Sequence, residues 1–140
     1  MPTYHHGRHE HGQNFLTDPR TIRHIMELDR ETSGPLLEIG PGDGALTRPL
    51  LSLGRPIRAL EIDGRLARKL SRELRGRAVV TEGDFLTYSL SDDPCVIVGN
   101  LPFHLTTAVR RRILHAPGWS DAVLLVQWEV ARRRAGVGGG

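Results

Sequence analysis

Five short apolar runs, separated by segments of helical pattern, restrict the fold more than any other feature of this 140-residue sequence. Each run has the length of a buried strand and is too short to cross a membrane. Alternating apolar strands and helices imply a mostly parallel sheet with right-handed crossovers and helices on both faces. The predicted fold class is therefore α/β, a doubly wound sheet. The predicted strands are residues 36–39, 57–62, 78–81, 95–98 and 122–127.

Start and stop residues bound the predicted helices. Thr17-Asp18-Pro19 predicts a helix start, with an N-cap residue followed by proline at the first helical position. Pro49 must lie near the first turn of its helix or kink it, because proline lacks an N–H. The other predicted boundaries are a helix between residues 45 and 53 ended by Gly54, a helix capped by Asp63 and ended by Gly76, and a helix over residues 106–115.

Charge and cysteine content limit the class of protein. The net charge is +3, and every basic residue except Lys69 is an arginine. Arginine suits phosphate and base edges, so a nucleic-acid partner is compatible with this composition, and codon bias explains it equally well. The single Cys95 and the absence of a signal-peptide pattern predict a cytoplasmic protein that has no membrane contact. The arginines cluster at residues 65–77, 110–112 and 132–134.

The first eleven residues are polar and contain His5, His6, His9 and His11. A metal site is one interpretation of these histidines. Without cysteines or a carboxylate frame the zinc signal is weak, and we predict a flexible arm with no metal.

Polar or glycine residues stand where each of the first four predicted strands ends. Gly40 and Gly42 follow the first strand, Glu61 closes the second, Asp84 follows the third and Asn100 the fourth. The carboxyl ends of parallel strands meet at one edge, where such sheets bind ligands. An acid about twenty residues after the glycines can accept hydrogen bonds from ribose hydroxyls.

Two cofactor classes fit the first of these features. Gly40, Gly42 and Ala45 satisfy the loose dinucleotide pattern, which is a weak signal by itself. Asp84 can accept a hydrogen bond from an adenine amino group, and a nicotinamide enzyme has no evident need for Asn100-Leu101-Pro102-Phe103. We therefore favour a methyltransferase and keep a nicotinamide-dependent oxidoreductase as a distant alternative.

The sequence resembles the ribosomal RNA adenine dimethyltransferases, and within them most closely the erythromycin-resistance methyltransferases of actinomycete type. The resemblance implies a Rossmann-like class I methyltransferase fold and S-adenosylmethionine-dependent N6-methylation of an adenine in 23S ribosomal RNA. That reaction confers resistance to macrolide, lincosamide and streptogramin B antibiotics. The alternatives are a housekeeping small-subunit rRNA dimethyltransferase and a non-catalytic RNA- or DNA-binding protein on the same fold. The matching segments are residues 11–16, 38–45, 83–85, 100–103 and 127–130.

The resemblance also implies roles for individual residues. Asn100, Leu101, Pro102 and Phe103 would be the catalytic residues, holding and stacking on an adenine in a single-stranded or loop region of ribosomal RNA. The residues implied to bind S-adenosyl-L-methionine are Asn14 and Leu16, closing over it; Gly40 and Gly42, lining its amino-acid end; Glu61, holding the ribose; Ile62, Asp84 and Phe85, around its adenine; and Asn100.

Purely structural roles stay open for several of these residues. The glycines could form only a tight turn, Glu61 could be a solvated strand end and Asp84 could be a helix cap. Phe103 could pack in the core, as aromatic residues usually do.

The resemblance covers only about the first half of a typical family member. It implies a division into residues 1–16, an arm with the cofactor-closing motif, and residues 17–140, a methyltransferase core. Such a core would lack the last strands and the helical C-terminal domain of its relatives. We expect a truncated or partly ordered form, and a monomer.

Titration with two cofactors separates the methyltransferase from the oxidoreductase. We expect saturable binding of S-adenosylmethionine and none of a nicotinamide dinucleotide, measured by isothermal titration calorimetry. The reverse pattern would contradict the role of Asp84 and Asn100 in the prediction.

Overall fold

Helices and strands alternate along the chain as the apolar pattern predicts. The structure is a computed structural model that describes residues 19–90, 95–101, 103–115 and 119–126, with only the backbone for residues 103 and 119–126. No helix within these ranges is long and apolar enough to span a bilayer. The helices are α1 (Pro19–Arg30), α2 (Thr47–Leu50), α3 (Gly64–Glu73) and α4 (Thr106–Leu114); the strands are β1 (Leu36–Ile39), β2 (Ile57–Glu61), β3 (Val79–Glu82), β4 (Cys95–Leu101) and β5 (Trp119–Val126).

The described strands form one sheet in the order β3-β2-β1-β4-β5, and every neighbouring pair is parallel. The chain moves outward from β1 through β2 to β3, and then crosses to β4 on the other side of β1. The strand order therefore reverses between β1 and β4, which is where doubly wound sheets bind ligands. The predicted fold class is confirmed.

Two hydrophobic cores cover the two faces of the sheet. Alternate residues of β1 point to opposite faces, so that Leu36 and Leu37 belong to different cores. One core contains Ile25 and Met26 of α1 and Leu50 of α2. The other core is closed by α4, through side chains at its Val109 and Ile113. Burial on both faces explains why the strands are continuous apolar runs.

Most of the predicted helix boundaries are confirmed. Pro49 is the third residue of α2, within the first turn, and a 3-10 turn over Leu51–Leu53 continues it. Gly54 ends that turn with a left-handed φ of 67°, and Gly76 follows α3 with a φ of 81°. Asp63 caps α3, accepting hydrogen bonds from the N–H groups of residues 65 and 66. The predicted cap at residues 17 and 18 lies outside the described residues.

Strand β4 is three residues longer than predicted. The prediction ended at residue 98 because glycine and asparagine interrupt the apolar run. The backbone nevertheless continues as a strand, since Asn100 pairs in register with Leu125 and Leu101 with Val126 of β5. The first two residues of the Asn100–Phe103 motif therefore belong to the sheet, which restrains their backbone.

A buried carboxyl group lies in the centre of the sheet. Glu38 of β1 is 1% exposed, and the hydroxyl of Thr47 in α2 donates a 2.5 Å hydrogen bond to its Oε1. The pKa of Glu38 is raised from its ordinary 4.5 to about 8, mainly because burial disfavours the charged form. The hydrogen bond from Thr47 lowers this pKa, and the nearby carboxyl groups of Glu61 and Asp29 raise it. Glu38 is therefore a neutral hydrogen-bonding group at neutral pH and joins β1 to α2.

Glu38→Gln should flatten the pH dependence of stability. A raised folded-state pKa means that the contribution of Glu38 is complete below pH 4.5 and is lost as the pH rises towards about 8. Glutamine keeps a carbonyl oxygen for Thr47 and does not ionise. The free energy of unfolding, from urea titrations, should therefore fall less across this window in the variant than in the wild type.

Asp29 contributes to the pH dependence of stability in both the wild type and the Glu38→Gln variant, since burial raises its pKa to about 6. The exposed Glu31 offers a matched control, and Glu31→Gln should retain the wild-type profile. Parallel curves for Glu38→Gln and the wild type would contradict the assignment.

Candidate active site

The loop after β1 has a backbone conformation that favours glycine. Gly40, Gly42 and Gly44 have φ values of 68°, 58° and 94°, in the left-handed region. Among the described residues, no atom would lie within 4 Å of a Cβ added at Gly40 or Gly42, so these residues leave the space above both glycines open. At Gly44 it would come within 2.8 Å of the Leu70 side chain, so α3 packs closely against this loop.

The carboxylate of Glu61 joins the two loops that follow β1 and β2. Its Oε1 accepts a hydrogen bond from the Gly42 N–H and its Oε2 accepts one from the Asp63 N–H, both at 2.9 Å. The side chain is only 4% exposed. Glu61 is therefore not a solvated strand end, and that alternative is wrong.

The sheet register brings Asn100 to the same edge as Glu61. Ile39 pairs with Leu60 of β2 on one side and with Gly99 of β4 on the other. The next residue of each strand is therefore Gly40 in the centre, with Glu61 and Asn100 flanking it. Neighbouring strands lie about 4.8 Å apart, so the Cα atoms of the two flanking residues are roughly 10 Å apart.

Ile62 is the exposed apolar residue beside this carboxylate. Its side chain is 68% exposed although it follows directly after the buried Glu61. An exposed isoleucine by itself is ordinary on protein surfaces. At this edge of the sheet it offers an apolar surface next to hydrogen-bonding groups, which is the character of a small-molecule site.

The turn after β3 places Asp84 and Phe85 differently. The Leu86 N–H donates a 3.0 Å hydrogen bond to Asp84 Oδ1, so one carboxylate oxygen stabilises its own turn. Phe85 is 3% exposed and belongs to the core closed by α4. Phe85 thus supports the turn from below, and its predicted contact with a cofactor stays a prediction.

Part of the predicted site lies outside the described residues. These parts are Asn14, Leu16, Pro102, the histidine-containing arm, residues 127–130 and the arginines at 132–134. Phe103 is described by its backbone alone, as the first residue of the 3-10 turn Phe103–Leu105. Leu101 is only 2% exposed and lies in the core, so its side chain holds the strand end in place.

The Glu38–Thr47 pair has a structural role that the sequence motifs did not reveal. These residues are nine positions apart, and the hydrogen bond between them holds the start of α2 against β1, below the glycine loop. The available signal was the glutamate inside an otherwise apolar strand. A buried carboxyl group must find a partner, which the sequence pattern does not identify.

A cleft of about 820 Å³ lies elsewhere, at the amino ends of β1, β2 and β3. Its lining includes Arg58, Arg77, Tyr88 and Cys95, and none of the predicted site residues. This cleft is therefore separate from the edge of the sheet where the predicted site residues lie. On α4, Arg112 donates a hydrogen bond to the Tyr88 carbonyl oxygen and so has a structural contact.

Comparison with known families agrees with this arrangement. The family described as "Ribosomal RNA adenine dimethylase" matches residues 4–139. The chain belongs to the ribosomal RNA adenine dimethylase family. The resemblance drawn from the sequence motifs is thereby confirmed at the level of the family.

Individual relatives are similar over nearly all of the chain but extend beyond it. The "rRNA adenine N-6-methyltransferase" of Corynebacterium diphtheriae is 62% identical over 139 residues, which are 99% of this chain and 55% of that protein. The "Mycinamicin-resistance protein MyrB" of Micromonospora griseorubida is 48% identical, over 95% of this chain and 43% of its own length. The chain therefore spans about half the length of the curated relatives that it matches.

A solved structure shows the same fold. The 23S rRNA methyltransferase ErmE superposes with a TM-score of 0.74 and 40% sequence identity, over 87% of this chain and 51% of that one. The glycopeptide N-methyltransferase MtfA, solved with S-adenosyl-L-homocysteine, has a TM-score of 0.59 at 25% identity, over 75% of this chain and 47% of that one. The fold is therefore that of class I methyltransferases.

Glu61→Gln should destabilise the protein. An amide has one acceptor oxygen, so one of the two N–H groups that Glu61 now satisfies would face the amide nitrogen. An unsatisfied buried donor costs about 1–3 kcal/mol of unfolding free energy, measurable by urea denaturation. The matched control is Glu73→Gln, which removes an exposed ion pair with Arg48. It should change stability by less than about 1 kcal/mol. Equal effects of the two substitutions would contradict the bridging role of Glu61.

Proposed function

We propose that the chain carries the cofactor-binding and methyl-transferring part of an S-adenosylmethionine-dependent enzyme that methylates N6 of an adenine in 23S ribosomal RNA. The observation that carries the proposal is the register that sets Glu61 and Asn100 on the two sides of the open Gly40–Gly42 loop. Membership of the adenine dimethylase family supports the reaction class.

The residues at this edge fit the cofactor. Gly40 and Gly42 leave open space for its amino-acid end. Each oxygen of Glu61 accepts one N–H and keeps a second lone pair, which suits the two ribose hydroxyls. The exposed Ile62 provides an apolar surface for the adenine ring. Asp84 Oδ2 would accept a hydrogen bond from the adenine amino group, since Oδ1 already accepts one from the Leu86 N–H.

Asn14 and Leu16 complete this assignment from the N-terminal arm. They would close over the methionine and adenosine portions, as the family resemblance implies. Phe85 would contribute by holding the Asp84 turn, because its side chain is buried in the core beneath that turn.

The chemistry requires orientation more than acid–base catalysis. Bound S-adenosylmethionine supplies an activated methyl group on a sulfonium, so that the protein adds alignment and electrostatics. The amino nitrogen of adenine is a poor nucleophile because its lone pair is delocalised into the ring. The Asn100 side-chain oxygen and the Leu101 carbonyl oxygen would accept the two amino hydrogens and direct the lone pair out of the ring plane.

The rest of the motif holds these two acceptors and the base. Leu101 is fixed by its buried side chain and by its pairing with Val126 in the sheet. Pro102 restricts the next turn through its fixed φ. Phe103 would stack on the target base, which must be unstacked from its neighbours before it can enter. We assign no general base, because the product ammonium loses its proton readily to water.

Two ribosomal substrates are compatible with the family. MyrB is named as a mycinamicin-resistance protein, and ErmE is described as a 23S rRNA methyltransferase. The "Ribosomal RNA small subunit methyltransferase A" of Deinococcus radiodurans is 42% identical over 126 residues. The chain is 48% identical to the mycinamicin-resistance protein and 42% identical to the small-subunit enzyme, which favours the resistance branch, for which the family resemblance implies a 23S substrate and macrolide, lincosamide and streptogramin B resistance.

Asn100→Ala should reduce turnover by about 10²–10³-fold and spare cofactor affinity to a large extent. Removal of one oriented group that acts in the transition state costs about 10²–10³-fold in rate. Methyl transfer to rRNA is measured with radiolabelled cofactor, and cofactor affinity separately by calorimetry. Ser52→Ala, an exposed side chain away from the edge, is the control and should keep full activity. Retained turnover in Asn100→Ala would remove the role given to this residue.

Mapping of the modified nucleotide separates the two substrates. Primer extension on RNA methylated by the protein should stop at one adenine of 23S rRNA. Modification confined to the small-subunit rRNA would instead establish the housekeeping activity. Cofactor binding without transfer to either RNA would favour a non-catalytic nucleic-acid-binding protein.

A further inference from the structure

An exposed row of cations follows one side of α3. The row consists of Arg65, Arg68, Lys69 and Arg72 on α3 and Arg75 in the turn that follows it, all exposed. At 100° per residue the four helical positions fall within about 100° of the helix circumference and extend for roughly 10 Å along it. The opposite side of α3 carries the buried residues Ala67, Leu70 and Leu74.

The row opposes the stability of its own helix. Arg65–Lys69 and Arg68–Arg72 are like-charge pairs at i,i+4 spacing, which repel each other. The first turn of α3 contains no acidic residue, and Arg65 there is unfavourable at the positive end of the helix dipole. An ordinary solvated face would be expected to alternate in sign. These like-charge pairs therefore give α3 no electrostatic stabilisation.

Few carboxylates neutralise the row. Among the described residues, the only member of the row within ion-pair distance of a carboxylate is Arg68, which lies 3.9 Å from Glu82 with both side chains largely exposed. The nearby Glu73 is engaged by Arg48 of α2 at 3.1 Å. The row therefore presents a high density of positive charge to solvent.

The row begins at the candidate active site. Asp63, whose N–H is held by Glu61, is the N-cap of α3, and Arg65 lies in the first turn. The helix then leads away from the carboxyl edge of the sheet. A polyanion that lies along α3 would thus have one part at the edge where Asn100 lies.

We propose that this row binds the phosphate backbone of the ribosomal RNA segment that flanks the target adenine. The inference rests on the proposed function for the identity of the RNA, and on the charge pattern of α3 for the surface. Regularly spaced phosphates match a row of flexible cationic side chains without base-specific contacts. The row would position the RNA, and the choice of adenine would be made elsewhere.

The test measures how RNA affinity depends on salt. The probe is a fluorescein-labelled RNA hairpin with an adenine in its loop, and the readout is fluorescence anisotropy between about 50 and 200 mM KCl. The variant is Lys69→Gln/Arg72→Gln in the full chain. Loss of two phosphate contacts should reduce the slope of log K against log salt by about 1.4–1.8 and weaken binding roughly 25- to 60-fold at 0.1 M salt.

Two further variants separate a specific row from a general charge effect. Arg23→Gln/Arg30→Gln removes two exposed charges from α1 and should leave the slope nearly unchanged. Arg65→Lys/Arg72→Lys preserves the charge of the row and should also preserve the slope. Thermal melting monitored by circular dichroism and cofactor titration confirm that each variant is folded.

The outcomes distinguish this inference from the proposed function. An unchanged slope in Lys69→Gln/Arg72→Gln, or an equal loss in the α1 variant, overturns the role of the row. If RNA binding depends on the row but the wild-type protein transfers no methyl group, the proposed function is overturned and the RNA-binding role of the row is retained. If the row variant transfers methyl groups and binds RNA with wild-type affinity, the role of the row is overturned and the proposed function is retained.

Discussion

The Glu61 carboxylate is the interaction on which the candidate site depends. It accepts hydrogen bonds from Gly42 in the loop after β1 and from Asp63 in the loop after β2. The same Asp63 caps α3, so one buried side chain joins the glycine loop to the helix that bears the cationic row. A buried carboxylate with only one partner would be costly, and this geometry is therefore strongly preferred over alternatives.

The sheet supplies the precision that the proposed chemistry needs. Asn100 lies within β4 and pairs with Leu125 of β5, and its neighbour Gly99 pairs with Ile39 of β1, so its backbone is restrained by the sheet. Gly99 brings β4 close to β1, since an added Cβ would lie 2.9 Å from the Ile39 carbonyl oxygen. Groups on paired strands keep their orientation better than groups on free loops, which suits a reaction that depends on alignment.

Charge is divided between the inside and the outside of this fold. Glu38, Asp29 and Glu61 are buried acids, and Glu38 and Asp29 have raised pKa values because burial disfavours their charged forms. The exposed face of α3, by contrast, carries the cationic row. Neutral or hydrogen-bonded acids within and cations outside leave a positive surface, which is the electrostatic character expected of an RNA-binding protein.

The order and type of the elements follow from the amino-acid sequence alone, because apolar runs and residues that start or end an element, such as Gly54, Asp63 and Gly76, act locally. The sequence also identified the polar residues at the strand ends, because parallel strands must bring those ends to one edge. Three features became visible in the folded protein: Glu61 bridges two backbone N–H groups, Phe85 is a core residue and β4 extends through Leu101. Hydrogen bonds, burial and strand pairing join residues that are distant in the chain, so a local sequence pattern cannot identify these partners.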